Sequence, residues 1–436
     1  MADPETLPPT PPAESAVGHV YQLLLLTAAA AFANYALSAV SPLQETMRTA
    51  LGLSDNEVAL LQGPALALPL ALAGIPLGLV VDRYLRARLL LGFVALAILG
   101  SLLTAFAPNY IVLFAARSLV GLAVPAISMA ALSMIADIYP PAYRGRAFMV
   151  MAIGQVGGMS AAFAVGGEVL AFIGPAGSGW RWTLMWLTSP LVILFCLLLL
   201  FMREPPRTGV TIENPSPSAA FAELWRYRAV VMPLLVGSVM VSMVDTAALV
   251  WAGPTLSRKF NLSPDHSGAI MAGGLMVSGM CGPILGGFLA DFAQRTGGPR
   301  RTISVLAALM CVSAPAGLFP IVPGLATASV VMSLFLMTGS AISVTAAPIV
   351  TVVIPNELRG LSVAILGAIS GPLCLGVAPV AVSALSTSLG GPIMIGKALA
   401  INCVAISLLG GMALVLGRRY FVRGGDELPR FAQAHE

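Results

Sequence analysis

Long apolar stretches separated by short polar turns run through almost the whole chain. Each stretch has about 20 residues, the length that a helix needs to cross a hydrocarbon core of about 30 Å. Polar and apolar positions do not alternate within them, so the pattern predicts membrane-spanning helices and excludes a transmembrane barrel. Twelve spans are predicted, at 21–42, 57–81, 89–107, 110–136, 147–172, 182–202, 229–253, 266–290, 302–319, 325–354, 362–387 and 395–417.

The composition agrees with this pattern. Of 436 residues, 58% are hydrophobic and only 10% are charged, and the mean hydropathy is +0.90. This leaves too little polar surface to cover a water-soluble globule of that size. The predicted fold class is therefore an all-α integral membrane protein.

Two short motifs recur in the two halves of the chain. Gly-x-x-x-Asp occurs at residues 78–82 and again at 287–291, an offset of 209 positions. Pro-x-x-x-Arg-Gly occurs at 140–145 and at 355–360. Recurrence in matching loops indicates a duplication, with two six-helix bundles related by an axis along the membrane normal.

The predicted layout follows from this duplication and from the Pro-rich segments. It consists of a disordered cytoplasmic tail at 1–19, a first bundle at 20–202, a linker with a possible interfacial helix at 203–228, a second bundle at 229–417 and a tail at 418–436.

The cations give the orientation. With twelve spans both termini lie on one side, and 17 of the 23 Lys and Arg residues fall on that side. By the positive-inside bias, we predict cytoplasmic termini and a multi-pass protein of the cell inner membrane. The net charge of +4 is explained by orientation and by attraction to anionic lipid, without a nucleic-acid partner.

The motifs resemble those of the major facilitator superfamily. Gly-x-x-x-Asp-Arg with its trailing arginines is similar to the superfamily's loop between helices two and three, and Arg117-x-x-x-Gly121 to its fourth-helix motif. The resemblance implies two six-helix bundles related by a pseudo-two-fold axis, with a central cavity lined by helices one, four, seven and ten.

Within the superfamily the chain looks most like the Spinster-like branch. Asn34-Tyr35 in the first helix carries part of this likeness. The chain departs from the branch at two places: it has Leu37-Ser38 instead of an Asp-Arg pair in the first helix, and Val124 instead of an acid in the fourth.

Ionisable residues within the spans are functional candidates, because a charge inside the bilayer is costly. Arg117, Asp245 and Asn34 have similar predicted depths, so we expect them to face one another across the cavity. One hypothesis is that Arg117 binds an anionic group of a solute while Asp245 pairs with it in the empty protein or takes up a proton. The alternative is a permanent Arg117–Asp245 salt bridge that only orients helices.

Two further residues are weaker candidates for solute binding. Tyr35 is either a wall of the cavity or a platform for the solute, and Gln155 bonds either the solute or a neighbouring helix. The five cysteines show no paired spacing and the three histidines are scattered, so neither a metal site nor a cofactor is predicted.

The charged turns on the side of the termini suggest a cytoplasmic gate. Acids there can lie against helix N-termini of the other half or pair with arginines, closing this side and separating when it opens. The alternative is a cluster that only fixes orientation. The candidate gate residues are Gly78, Asp82, Arg83, Arg86, Arg88, Asp137, Arg144, Gly287, Asp291 and Arg359.

Together these features predict a secondary transporter rather than an enzyme. It would move a small organic solute, with an organic anion favoured, by alternating access as a monomer, with a coupling proton or ion left open. Efflux of hydrophobic drugs or lysolipids is the alternative within transport. A non-transporting membrane receptor is the alternative from another class.

Overall fold

The computed structural model describes residues 13–204, 228–353 and 356–420, and every regular element in these residues is helical. The predicted interfacial helix of the linker lies outside the described residues, as do residues 1–12 and 421–436. The description therefore covers most of the predicted spans, and the predicted linker stays a prediction.

The first half supplies six spans from eight helices. Two of the eight, α2 and α3, are short and follow the first span. The helices are α1 (Ala13–Ser38), α2 (Gln44–Leu51), α3 (Asp55–Gln62), α4 (Pro64–Arg83), α5 (Arg86–Phe106), α6 (Tyr110–Ile138), α7 (Pro141–Ile173) and α8 (Gly179–Phe201).

The second half supplies the other six spans from five helices, because one of them is long enough to cross twice. They are α9 (Arg228–Phe260), α10 (Pro264–Ala316), α11 (Leu325–Val353), α12 (Asn356–Ser388) and α13 (Ile395–Gly417).

A backbone break divides α10 into two spans. Eleven helical stretches among the described residues are long and apolar enough to cross a membrane, and α10, with 53 residues, is one of them. Its backbone leaves helical geometry at Gly297 and at Gly298, where φ is 61° and ψ is −155°. Glycine adopts such a conformation without a steric penalty. Counting α10 as two gives the twelve predicted spans.

One predicted boundary is wrong. Residues 1–19 were predicted to form a disordered tail, whereas α1 already begins at Ala13. The reason is local: Ala13, Glu14 and Ala16 are good helix formers that directly follow Pro11 and Pro12, and proline is tolerated just before a helix.

The helices form two bundles that meet along two equivalent helix pairs. In the first half, α6 packs against α1, α4 and α5; in the second, α9 packs against α12 and α13 while α10 packs against α11. Between the halves, α7 packs against α10 and α4 against α12. Because α4 and the first arm of α10 are the second spans of their halves, and α7 and α12 the fifth, the two pairs are related by the pseudo-two-fold axis.

The two ends of the bundle differ. We call the end at which α1 begins and α13 ends the termini side, and the other end the far side. On the far side, glycines let α7 and α10 approach closely: a Cβ built on Gly268 would lie 2.4 Å from the carbonyl oxygen of Phe163, and one on Gly167 would lie 2.5 Å from that of Pro264. The helices therefore touch through backbone atoms here.

Toward the termini side the same two helices separate. The contact face of α7 runs through Phe163, Ser160 and Val156, which touch Gly268, Ala272 and Gly279 of α10. The next residues of α7 on this face are Ile153 and Met149, and they are 56% and 57% exposed. Among the described residues, the contact between α7 and α10 is thus closed on the far side, and α7 carries exposed side chains toward the termini side.

Gly268→Val should weaken far-side closure, because its Cβ would overlap the Phe163 carbonyl. The probe is Ser257→Cys, in a crevice between the halves lined also by Pro42 and Phe163. We expect a membrane-impermeant maleimide to label this cysteine severalfold faster in the Gly268→Val background, with the modified peptide quantified by mass spectrometry.

The matched control is Gly273→Val in the same helix, where an added Cβ meets nothing within 4 Å. Equal labelling rates in the two backgrounds would show that close helix approach does not hold the far side shut.

Candidate functional site

An ion cluster joins the two bundles on the far side. Arg258, near the end of α9, donates to Glu45 Oε1 at 2.6 Å and Oε2 at 3.0 Å, and to Asp55 Oδ1 at 2.7 Å and Oδ2 at 2.8 Å. Its Nη1 also reaches the carbonyl oxygen of Pro392 at 3.3 Å. One guanidinium from the second half thus bridges two carboxylates of the first half, a fork geometry that only arginine provides.

A second arginine and a helix cap hold these carboxylates in place. Arg48 lies 3.4 Å from Glu45 and 3.7 Å from Asp55. Asp55 is only 6% exposed and opens α3, whose N-terminus is fixed by a capping box between Ser54 and Glu57. Two arginines therefore balance two acids at a fixed position. We call Glu45, Arg48, Asp55 and Arg258 the Arg258 cluster.

The sequence analysis did not predict this cluster. It used Arg48 and Arg258 only in counting the cations on each side of the membrane, where they fall on the side opposite the termini. The sequence did contain a signal for it. The turn after the first span is acidic and the turn after the seventh is basic, and these turns occupy equivalent places in the two halves. Such complementary charge indicates that the two turns meet.

Arg117 belongs to a polar network inside the first bundle. It is 1% exposed, and its Nη2 donates to the carbonyl oxygen of Leu37 and to Gln62 Oε1, both at 3.1 Å. Gln62 in turn donates to Ser41 Oγ and to Gln44 Oε1, both at 3.3 Å. Gln44 precedes Glu45, so the network extends to the segment that carries the acids of the Arg258 cluster.

Among the described residues, no Arg117–Asp245 ion pair is formed. Nη2 of Arg117 instead donates to amide and carbonyl oxygens of α3 and α1 in its own bundle, while its buried Nε has no hydrogen-bond partner among the described residues. A guanidinium can be buried at moderate cost when it is bonded in this way. The geometry favours a structural role for Arg117.

Asp245 has different surroundings. It lies in the middle of α9 and is partly exposed, and its carboxylate packs against Gly339 of α11, where a Cβ would come within 2.3 Å of Oδ1. It makes no hydrogen bond or ion pair with the described residues. An acid in the centre of a span without a cation beside it is a candidate for proton or solute binding.

The three other predicted solute-binding residues lie in the first half. Asn34 is partly exposed and donates to the carbonyl oxygen of Ala30 at 3.0 Å. Tyr35 is buried and packs edge-on against Phe32. Gln155 donates to Ser128 at 3.4 Å, which joins α7 to α6. This bond corresponds to the helix-to-helix alternative for Gln155.

On the termini side, the first half contains one part of the predicted gate. Arg86 forms an ion pair with Asp137, linking the start of α5 to the end of α6. Glu204 accepts hydrogen bonds from the backbone N–H groups of Arg86 and Ala87 at 3.0 and 2.7 Å, which caps α5. All four residues belong to one half, so these contacts do not join the halves.

The remaining gate candidates make local contacts or lie outside the description. Arg144 donates to the carbonyl oxygen of Tyr139, and Arg88 is exposed. Asp291 is 74% exposed, and its ion-pair partner, Arg295 at 3.9 Å, lies in the same helix. A Cβ added to Gly287 would meet nothing within 4 Å. The surroundings of the other candidates, Gly78, Asp82, Arg83 and Arg359, lie outside the described residues. Closure of this side by the gate stays a prediction.

The fold and these sites can now be compared with known proteins. The chain matches the Major Facilitator Superfamily over residues 23–379. It belongs to this superfamily. Its members are transporters rather than enzymes, which confirms the predicted family and class of activity.

Individual superfamily relatives agree with the branch suggested by the motifs. The 3-(3-hydroxy-phenyl)propionate transporter of Escherichia coli is 26% identical over 326 residues, 71% of this chain and 74% of that protein. Protein spinster homolog 1 of Rattus norvegicus is 27% identical over 215 residues, 47% of this chain and 40% of that protein. A solved bacterial homologue of the human lysosomal transporter Spinster, inward-facing and occupied, matches with a TM-score of 0.76 at 20% identity, covering 94% and 97% of the two chains.

Arg258→Gln should loosen the far side of this superfamily member, because it removes the charge that holds two carboxylates together. Truncating one partner of a desolvated charge pair typically costs about 2–5 kcal/mol. We expect double electron–electron resonance between labels placed on α2 and on the loop after α9 to show a longer and broader distance distribution.

The control is Arg181→Gln, since Arg181 donates to the carbonyl oxygens of Ala105 and Ala107 within one half. If both variants keep the original distance, the Arg258 cluster does not hold the halves together.

Arg117→Met should lower stability, because it leaves the Gln62 and Leu37 oxygens without their donor. An unsatisfied buried acceptor costs about 1–3 kcal/mol, and we expect a lower melting temperature in detergent with little change in solute affinity among molecules that remain folded. An unchanged melting temperature together with a large rise in KM would instead place Arg117 in the solute site.

Proposed function

We propose that this chain is a secondary active transporter that moves a small organic solute by alternating access. The observation that supports the proposal is an asymmetry along the described contact between the halves: the Arg258 cluster and the close approach of Gly167 and Gly268 close the far side, while Ile153 and Met149 of α7 are exposed toward the termini side. A cavity reachable from one side only is one of the two states that alternating access requires.

The other state would need the Arg258 cluster to separate. Glu45, Arg48 and Asp55 move with one half and Arg258 with the other, so rocking the halves breaks only the contacts of Arg258. The predicted gate on the termini side would form at the same time and offset this loss. With cytoplasmic termini, as the cations predict, the described conformation faces the cytoplasm.

Asp245 is the proposed coupling group. An ionised carboxylate at this depth is unfavourable without a cation, and Asp245 has none among the described residues, so it gains from taking up a proton. An anionic solute binds poorly next to an ionised Asp245 and better next to a protonated one. Proton binding and anion binding therefore support each other, as symport requires.

A small organic anion is the favoured solute. The E. coli relative, aligned over 326 residues, carries the name of an aromatic carboxylate. Because Arg117 is bonded within its own bundle, we assign the polar contacts of the solute to groups that still face the passage, the amide of Asn34 first among them. The hydroxyl of Tyr35 is less suited because that residue is buried.

Efflux of hydrophobic drugs is the second candidate. Exposed methionines occur on α7 and α10, among them Met149, Met276 and Met280, and flexible thioethers suit promiscuous packing. In this case Asp245 would exchange a proton for a cationic drug. The two functions predict opposite responses to a pH gradient. Acid on the side from which the solute is taken up drives symport, whereas acid on the opposite side drives antiport.

The test uses purified protein in liposomes with an imposed pH gradient and radiolabelled 3-(3-hydroxyphenyl)propionate as the anionic probe. We expect accumulation that exceeds that of empty liposomes and grows with external acid. Asp245→Asn, which is isosteric but cannot take up a proton, should reduce gradient-driven accumulation at least about tenfold and leave solute exchange measurable.

The control is Glu168→Gln, the same change at an exposed position near the end of α7. Full gradient-driven accumulation by Asp245→Asn would remove Asp245 from coupling. No transport of this probe, together with proton-driven export of a cationic dye, would favour the drug-efflux function.

A further inference from the structure

A basic pocket lies on the far side of the second half, next to the Arg258 cluster. It has a volume of about 440 Å³ and is lined by four cations together with Thr255 and apolar residues of the neighbouring turns. The cations are Arg48, Arg258, Lys259 and Lys397. The nearby acids Glu45 and Asp55 are matched by Arg48 and Arg258, which leaves a positive charge from the two lysines.

The two lysines supply the available donors of this basic pocket. Lys259 donates to the carbonyl oxygens of Pro320 and Val322, so one of its three donors remains. Lys397 is exposed and makes no hydrogen bond or ion pair with the described residues. Thr255 lines the pocket, but it is 3% exposed and its hydroxyl is enclosed, so the donors open to an anion belong to the lysines.

An apolar groove continues from the basic pocket along α13. It has a volume of about 620 Å³, and the two cavities share Ile321 and Lys397. Its other lining residues are apolar: Leu318, Ala400, Ile401, Val404, Ala405 and Leu408. Because α13 spans the membrane, this groove faces the hydrocarbon layer, whereas the basic pocket lies at its edge.

We propose that these two cavities bind one anionic phospholipid of the far-side leaflet, independently of the transported solute. The phosphate accepts from Lys397 and Lys259, and an acyl chain fills the groove beside Ile401 and Leu408. Charge complementarity selects an anionic headgroup, and continuity with the membrane-facing groove selects a lipid over a soluble anion.

The location connects this lipid to the closed far side. Pro392 lines the basic pocket and its carbonyl oxygen accepts from Arg258, so the headgroup lies against the turn that supports the Arg258 cluster. Separation of the halves withdraws Arg48, the cation that the first half contributes to the pocket. The lipid therefore binds more tightly when the far side is closed, and stabilises that state.

The test is native mass spectrometry and thermal denaturation of the full-length protein in detergent, titrated with phosphatidylglycerol or phosphatidylcholine of the same chain length. We expect phosphatidylglycerol to bind and to raise the melting temperature with concentration, and phosphatidylcholine to do so weakly. Lys397→Gln should weaken phosphatidylglycerol binding about fivefold, as the loss of one cation at a membrane surface does. Lys259→Gln, which removes the other lysine charge, should also weaken it.

The matched control is Arg295→Gln, an exposed arginine on the termini side, which should bind phosphatidylglycerol like the original protein. Equal stabilisation by both lipids, or full phosphatidylglycerol binding by Lys397→Gln and Lys259→Gln, would overturn the proposal. Stabilisation by soluble glycerol phosphate that is lost in Lys397→Gln would also overturn it, because the site would then bind a free anion.

Discussion

The conformation depends on a single guanidinium shared between two carboxylates of the other half. Arg258 uses all three nitrogens on Glu45 and Asp55, and it has no second partner of opposite charge in its own half among the described residues. Charge-assisted hydrogen bonds of this kind are strong at short distance and good angle, and they weaken steeply when either changes. Closure of the far side is therefore a two-state property: the halves are either latched by Arg258 or separate.

The close glycine contacts and the ion cluster support each other physically. Backbone contact at Gly167 and Gly268 excludes water from the interface, and the lower local dielectric strengthens the charge pairs beside it. In return, the pairs fix the register in which small residues face one another. Either feature alone gives a weaker contact, since small-residue packing is unspecific and exposed ion pairs contribute little. Together they close one side.

The sequence predicted the helices and the duplication because these follow from local pattern. Twelve apolar stretches need only hydropathy, and the two copies of Gly-x-x-x-Asp need only their spacing. The partners of Arg117 could not be predicted in this way, because hydropathy gives its depth in the membrane but not the direction in which its side chain points. Depth placed it level with Asp245; the rotation of α6 directs it instead toward Leu37 and Gln62. The Arg258 cluster could not be predicted for a similar reason, because hydropathy does not show which turns of the two halves meet.

The contrast between Arg117 and Asp245 explains why only one of them suits a coupling role. Both charges lie within spans, yet Nη2 of Arg117 has acceptors from α1 and α3, and these bonds remain in any state in which the first bundle stays intact. Asp245 packs against the bare backbone of Gly339, which accommodates a carboxylate without compensating it. Its charge must be compensated from elsewhere, by a proton or by a solute that reaches the passage. A permanent partner would make Asp245 a structural residue like Arg117. The missing side chain at Gly339 therefore matters as much for coupling as the acid itself.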